Sequence, residues 1–261
     1  MVSGNHFRLL LIFAAVTVAM AQMADPVIDG ARKAAANYAQ SLPDYIVKRT
    51  TTRHLDQRQV EATKLLDTVT GDVAVEHGKE VYTNIKVNGD AVTALPGGGA
   101  WSAGEFSTQM LAILTPESAA QFTHQHAESI RSHPSYRYDF AIDQAHSSWH
   151  LSAANLGNAT TAMNYSPAYG GKIWIDRETG RALRIEMAAK GLPSGFPLAS
   201  VESDTDYDFV KIGDGKYLLP VHSETTSCEQ GGMMCLRNET DFQNYDKFSA
   251  NSSITFDRGA K

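Results

Sequence analysis

The sequence predicts an α+β fold in which a long antiparallel β meander carries most of the chain. Three observations point to it. A helical stripe, Ile28, Ala31, Ala35, Tyr38 and Leu42, stands near the start at alternating steps of three and four residues. Many short segments of two-residue alternation follow, joined by tight-turn residues rather than by helices. One short non-β insertion, entered through Pro96-Gly97-Gly98-Gly99, interrupts them.

Residues 1–21 read as a cleavable secretory signal. His6 and Arg8 give a short positive start, Leu9 to Ala19 is apolar apart from Thr17, and Ala19-Met20-Ala21 is a small-x-small cleavage site. The apolar run spans about 11 residues, against about 20 needed to cross a bilayer. Gln22 rather than Cys follows the site, which argues against a lipid anchor. The expectation is one exported domain over 22–261, in the periplasm or outside the cell, with no transmembrane segment in the mature chain.

The first helix is expected from Asp25, a capping residue, with Pro26 at its first position, to Pro43, which ends it. Tyr45 to Arg53 is rich in β-branched and aromatic residues and reads as a strand, and polar Asp56 to Leu65 as a connection. Val81, Thr83, Ile85 and Val87 alternate with Tyr82, Asn84 and Lys86, between hairpin turns at His77-Gly78 and Asn88-Gly89. Ser102-Ala103-Gly104-Glu105 matches a capping box, so a helix with Phe106, Met110, Leu111, Ile113 and Leu114 on its apolar face is expected next. Thr115-Pro116-Glu117 opens a second short helix.

Strands then recur. Tyr136 to Ile142, Trp149 and Leu151, and Ile173 and Ile175 lead to the turn Asp176 to Gly180. Leu183 to Met187 and Thr205 to Phe209 lead to Gly213-Asp214-Gly215. Tyr217 to Val221, Asn238 to Phe242, and Ile254 with Phe256 complete the series. Pro220 would remove a ladder bond inside a sheet, so its strand is expected to end there or to lie at an edge.

The chain carries 23 Lys+Arg against 29 Asp+Glu, a formal charge of −6. An acidic chain without a basic run argues against nucleic acid or anionic lipid as the main partner. The two cysteines, Cys228 and Cys235, flank a flexible stretch, and in an exported chain such a pair is expected to form a disulfide across a hairpin tip.

A helix followed by a long meander with a small helical insertion resembles the outer-membrane lipoprotein-sorting (LolA-like) fold. The segment Gly171-Lys172-Ile173-Trp174-Ile175-Asp176-Arg177-Glu178-Thr179-Gly180, with Leu183-Arg184-Ile185, looks like that family's hairpin. Leu42-Pro43-Asp44-Tyr45, Trp101 to Phe106, Asn244 to Phe248 and Ser253 to Phe256 also resemble a group of uncharacterised exported bacterial proteins. The resemblance implies an α+β fold in which the meander forms an unclosed barrel around an N-terminal helix and a small helical lid. It implies an apolar pocket under that lid, with Trp101, Phe106, Met110, Leu111 and Leu114 as candidate ligand-binding residues. Lys48 to Arg53 is polar on both faces, unlike the large apolar cavity a lipoprotein carrier needs, so the fold is carried over rather than the task.

No residue is nominated as catalytic, none as a metal ligand, and no cofactor is implied. Ala100-Trp101-Ser102-Ala103-Gly104 has the outline of a nucleophile elbow, but without the upstream strand that motif requires, and Ser102 reads as a helix cap. His124, His126, His133, His146 and His150 make a histidine-rich region without metalloprotease spacing. Glu105, Asp139, Asp143, Glu178 and Asp206 read as scattered carboxylates in turns and on outward strand positions. Four Asn-x-Ser/Thr matches, at Asn158, Asn164, Asn238 and Asn251, bear on the source rather than the task. The leading expectation is a non-enzymatic exported protein that binds a lipid-like or apolar ligand, or an envelope protein partner, between sheet and lid. A cell-envelope hydrolase using histidine and carboxylate side chains on the sheet is the competing class, and a structural envelope component the third.

Overall fold

A computed structural model describes residues 25–93, 95–96, 100–101, 104–155 and 158–248. The expected signal at 1–21, Gly97 to Gly99, Ser102 and the terminal Ile254 and Phe256 lie outside the described residues. Among the described residues, no helix is long and apolar enough to cross a membrane.

The first helix, α1, spans Pro26–Ser41. One Asp25 oxygen accepts the Val27 amide at 2.9 Å and the other accepts the Tyr138 hydroxyl at 2.8 Å, so a single carboxylate caps the helix and ties it to the sheet. Ile28, Ala31, Ala35 and Tyr38 are buried against the sheet, where the Tyr38 hydroxyl donates to the Leu218 carbonyl.

The strands are β1 Tyr45–Gln57, β2 Ala62–Glu76, β3 Lys79–Val87, β4 Asp90–Ala91, β5 Gln121–Ile130, β6 His133–Ile142, β7 Leu151–Asn155, β8 Asn158–Tyr165, β9 Ala168–Asp176, β10 Ala182–Lys190, β11 Leu198–Ile212, β12 Gly215–Glu229 and β13 Met234–Lys247. Helix α2, Thr108–Leu114, lies between β4 and β5. Eleven strands form one sheet in the order β4-β3-β2-β1-β13-β12-β11-β10-β9-β6-β5, every pairing antiparallel, while β7 and β8 form a separate pair. The sheet is not closed. β4 and β5 are its edges, and the first and last strands meet in its middle.

Five expectations need correction. The polar stretch Asp56 to Leu65 is not a connection: β1 and β2 run through it, paired as far as Gln57 and Ala62, and turn at Arg58–Val60. Ladder bonds hold these strand ends, so their side chains can be polar. Pro220 neither ends its strand nor lies at an edge. It sits opposite Tyr207 beside a register shift, and the β12–β13 ladder starts only at His222, so its missing N–H interrupts nothing there. Helix α2 starts at Thr108 with Ser107 at its cap position, and Phe106 lies in the preceding turn. Gly104, at φ +84°, turns the chain into α2, and its carbonyl accepts the Gln109 amide at 2.8 Å.

The fourth correction concerns β3. Its two-residue period breaks at a bulge, where Thr70 pairs with Lys86 but Asp72 pairs with Thr83, and Asn84 takes φ +53°. The bulge reverses the alternation, so Glu80 and Tyr82 turn toward the interior while Val81 is 50% exposed. A similar bulge at His124 and Gln125 breaks the alternation that would have put His124 and His126 on one face. His124 instead contacts Asp139 at 3.0 Å, and no metal-holding cluster exists among the described residues. The fifth correction is Glu105, which is fully buried rather than outward.

Cys228 and Cys235 face each other across the β12–β13 hairpin and form a disulfide.

Candidate functional site

The inner face of the sheet changes character along its strands. On β1 the inward positions run Tyr45, Val47, Arg49, Thr51 and Arg53, all buried. On β13 they run Leu236, Asn238, Thr240 and Phe242, on β12 Ser223, Thr225 and Ser227, and on β11 Val201, Ser203, Thr205 and Tyr207. One half of the face is therefore apolar and is filled by α1, α2 and the turn before α2. The other half is a buried wall of hydroxyls, one amide and two guanidinium groups. A polar group buried without partners costs free energy, so this wall must be bonded to something.

Part of it is bonded within the chain. Thr51 and Thr240 share a hydrogen bond at 2.9 Å, and Ser203 and Thr225 one at 3.2 Å. Ala100 is clamped at both backbone groups: its N–H donates to Ser227 Oγ at 3.0 Å, and Asn238 Nδ2 donates to its carbonyl at 2.9 Å. Arg53 and the Trp101 indole N–H both donate to the Pro96 carbonyl. The connection to α2 is thus laid across the polar wall. Thr205 Oγ1, Ser223 Oγ and Asn238 Oδ1 find no hydrogen-bond partner among the described residues.

The ionic groups gather at the β3 end. The Arg53 guanidinium stands 5.2 Å from the Trp101 ring centre and 3.4 Å from Asp67. Arg49 lies between the Tyr82 and Trp101 rings and 3.9 Å from Glu105. Glu105 is 0% exposed, and neither of its oxygens receives a hydrogen bond from the described residues. Glu80 stands nearby and accepts hydrogen bonds from the Tyr82 hydroxyl, at 2.9 Å, and from the Gly104 backbone. Burial, and then the Glu105 charge, raise the Glu80 pKa above its ordinary value of 4.5.

That direction fixes a pH dependence. Stability resting on protonated Glu80 is complete below 4.5 and is lost as pH rises through the raised value. The urea midpoint of the wild type, measured against Glu80→Gln from about pH 4 to about pH 8, should therefore fall as pH rises. A constant offset between the two proteins would refute this.

A cavity of about 370 Å³ opens where these parts meet. Its lining includes the polar side chains of Ser203, Thr225, Gln109 and His150, the apolar ones of Trp101, Trp149 and Leu151, and Glu80 from β3. Of the five residues nominated from the sequence, Trp101 lines this cavity. Phe106, Met110 and Leu114 are buried in the main core, and Leu111 packs against it half-buried. Sequence reasoning missed Glu80, Gln109, Ser203, Thr225 and Trp149. A larger depression of about 490 Å³ lies mostly on the outer face, and Arg184 in its lining is already taken up by Glu186, Asp204 and Asp206. His150, beside the inner cavity, meets Ser166 Oγ at 2.7 Å, but no carboxylate orients it among the described residues.

No family model and no curated protein matches the chain. Among solved structures, the chain is similar to a LolA superfamily protein from Nitrosomonas europaea, with 10% identity over 85% of this chain and 94% of that one, at a TM-score of 0.37. It is also similar to a DUF1329 family protein from Desulfovibrio piger, with 11% identity over 90% of this chain and 98% of that one, at a TM-score of 0.42.

Proposed function

We propose that this chain is an exported binding protein that holds a small amphipathic ligand in the inner cavity, with α2 and the connection before it acting as a lid. The observation that carries the reading is the cavity's mixed lining: hydroxyl and amide side chains on β11, β12 and α2, together with indole and leucine side chains, surround about 370 Å³. Ligand pockets are built this way, with apolar walls and a few placed polar groups, over roughly 300–1,000 Å³. The lower end of that range suits one short apolar arm better than several acyl chains. The disulfide supports export, since such bonds persist in oxidising compartments.

In this reading Trp101 contacts the ligand in the closed form, and Phe106, Met110, Leu111 and Leu114 meet its apolar arm as the lid lifts. A membrane or an envelope protein would supply and receive the ligand. The lid is the testable part. Hydrogen exchange at the amides of 108–114 should proceed through a local opening cheaper than global unfolding, and added 1-decanol should slow it. Exchange only at the global rate, unchanged by decanol, would remove both lid and binding function.

A further inference from the structure

We propose that the polar end of the ligand is a cationic amine, held by Glu80 beside the Trp101 and Trp149 rings. The inference rests on the binding function proposed above and names the chemistry of that site.

Three observations carry it. First, among the described residues the cavity has no Lys or Arg in its lining, and Glu80 is its one carboxylate. An anionic head placed there would meet the Glu80 carboxylate, with the His150 imidazole as the one lining side chain able to carry a positive charge. Second, the nearby cations are committed elsewhere: Arg53 to Asp67, Pro96 and the Trp101 ring, and Arg49 to Glu105 and the Tyr82 and Trp101 rings. Third, the Glu105 charge acts on Glu80, and Glu105 is fully buried with neither oxygen receiving a hydrogen bond from the described residues. Glu80 and Glu105 repel each other, and Arg49, 3.9 Å from Glu105, is shared between that carboxylate and two aromatic rings. A charge-assisted N–H donor supplies what the site lacks. Indole rings add to the selection, because their faces attract cations such as substituted ammonium groups.

The geometry has a structural cause. Without the bulge at Asn84, the alternation of β3 would turn Val81 inward and Glu80 to solvent. The bulge is what delivers a carboxylate to the cavity.

The test uses the full-length secreted chain and three probes that share one apolar arm: n-decylamine, 1-decanol and decanoate. Binding is followed by calorimetry at neutral pH, below the concentration at which the probes aggregate. Decylamine should bind at least about tenfold more tightly than decanol, and decanoate more weakly than either. Glu80→Gln, which keeps the side chain's shape, should bring decylamine down to the level of decanol measured on the same variant. Decanoate binding as tightly as decylamine would overturn the amine assignment while leaving a binding cavity. An amine preference that survives Glu80→Gln would do the same. If none of the three binds, the binding function itself fails and the amine assignment with it. The wild-type probe series stands by itself should the variant not fold.

Discussion

Replacing Arg49 by methionine should cost about 3–5 kcal/mol of unfolding free energy, because it leaves a fully buried Glu105 charge without its cation. Arg49 and Glu105 side chains are 7% and 1% exposed, so water cannot take over the role of either. The cost belongs to the broken pair rather than to the bond itself. Arg49→Met combined with Glu105→Leu, which removes both charges, should therefore recover most of the loss. Urea unfolding of the three proteins at one pH measures this. A single variant within about 1 kcal/mol of the wild type would overturn the pairing of Arg49 with Glu105 as a source of stability.

Gly171→Ala should be destabilising by about 3 kcal/mol or more, among the largest effects a single methyl can have. A Cβ at Gly171 would stand 1.8 Å from the Glu186 carbonyl oxygen, and that atom is main chain, so no side chain can move aside. The β9–β10 ladder itself would have to shift, and Arg184 and Glu186 would move with it. Gly30 is the control. It lies in α1, and a methyl added there would meet nothing within 4 Å, so Gly30→Ala should stabilise by about 0.4–1 kcal/mol. Equal thermal midpoints for the two variants would contradict both assignments.

The parts of the fold that rest on local signals were legible in the sequence. The α1 stripe, the Asp25 cap and the turns at His77-Gly78 and Asn88-Gly89 need only neighbouring residues to be read. So did the pairing of Cys228 with Cys235. The candidate site was legible only at Trp101. Glu105 reads as one more scattered carboxylate until β1 brings Arg49 against it, and nothing local announces that contact. Glu80 was hidden for a different reason: its strand shows a clean apolar period on the wrong parity, and one bulge reverses the meaning of that period. Lys48 to Arg53 looked polar on both faces, and it is. The inward half is buried because β2, β13 and the turn before α2 supply Asp67, Thr240 and Glu105 as partners. Helix α2 was expected five residues early, with Ser102 as its cap, because Ser102 to Glu105 has the outline of a capping box, although α2 begins at Thr108 after a turn at Gly104, with Ser107 at the cap position.

The meeting of β1 with β13 governs the order in which the molecule can assemble. The Thr51–Thr240 hydrogen bond joins residues 189 apart, and the seam containing it lies in the middle of the sheet rather than at its rim. A chain emerging from its N-terminus can form the β1–β2–β3 side early, from neighbours. It must then wait, with one flank of β1 unpaired, until the last strand has been delivered. Closing so long a loop is entropically costly and places this structure among slow-folding topologies. Throughout that delay the polar inner wall has no cover and β1 presents an open edge to any passing strand.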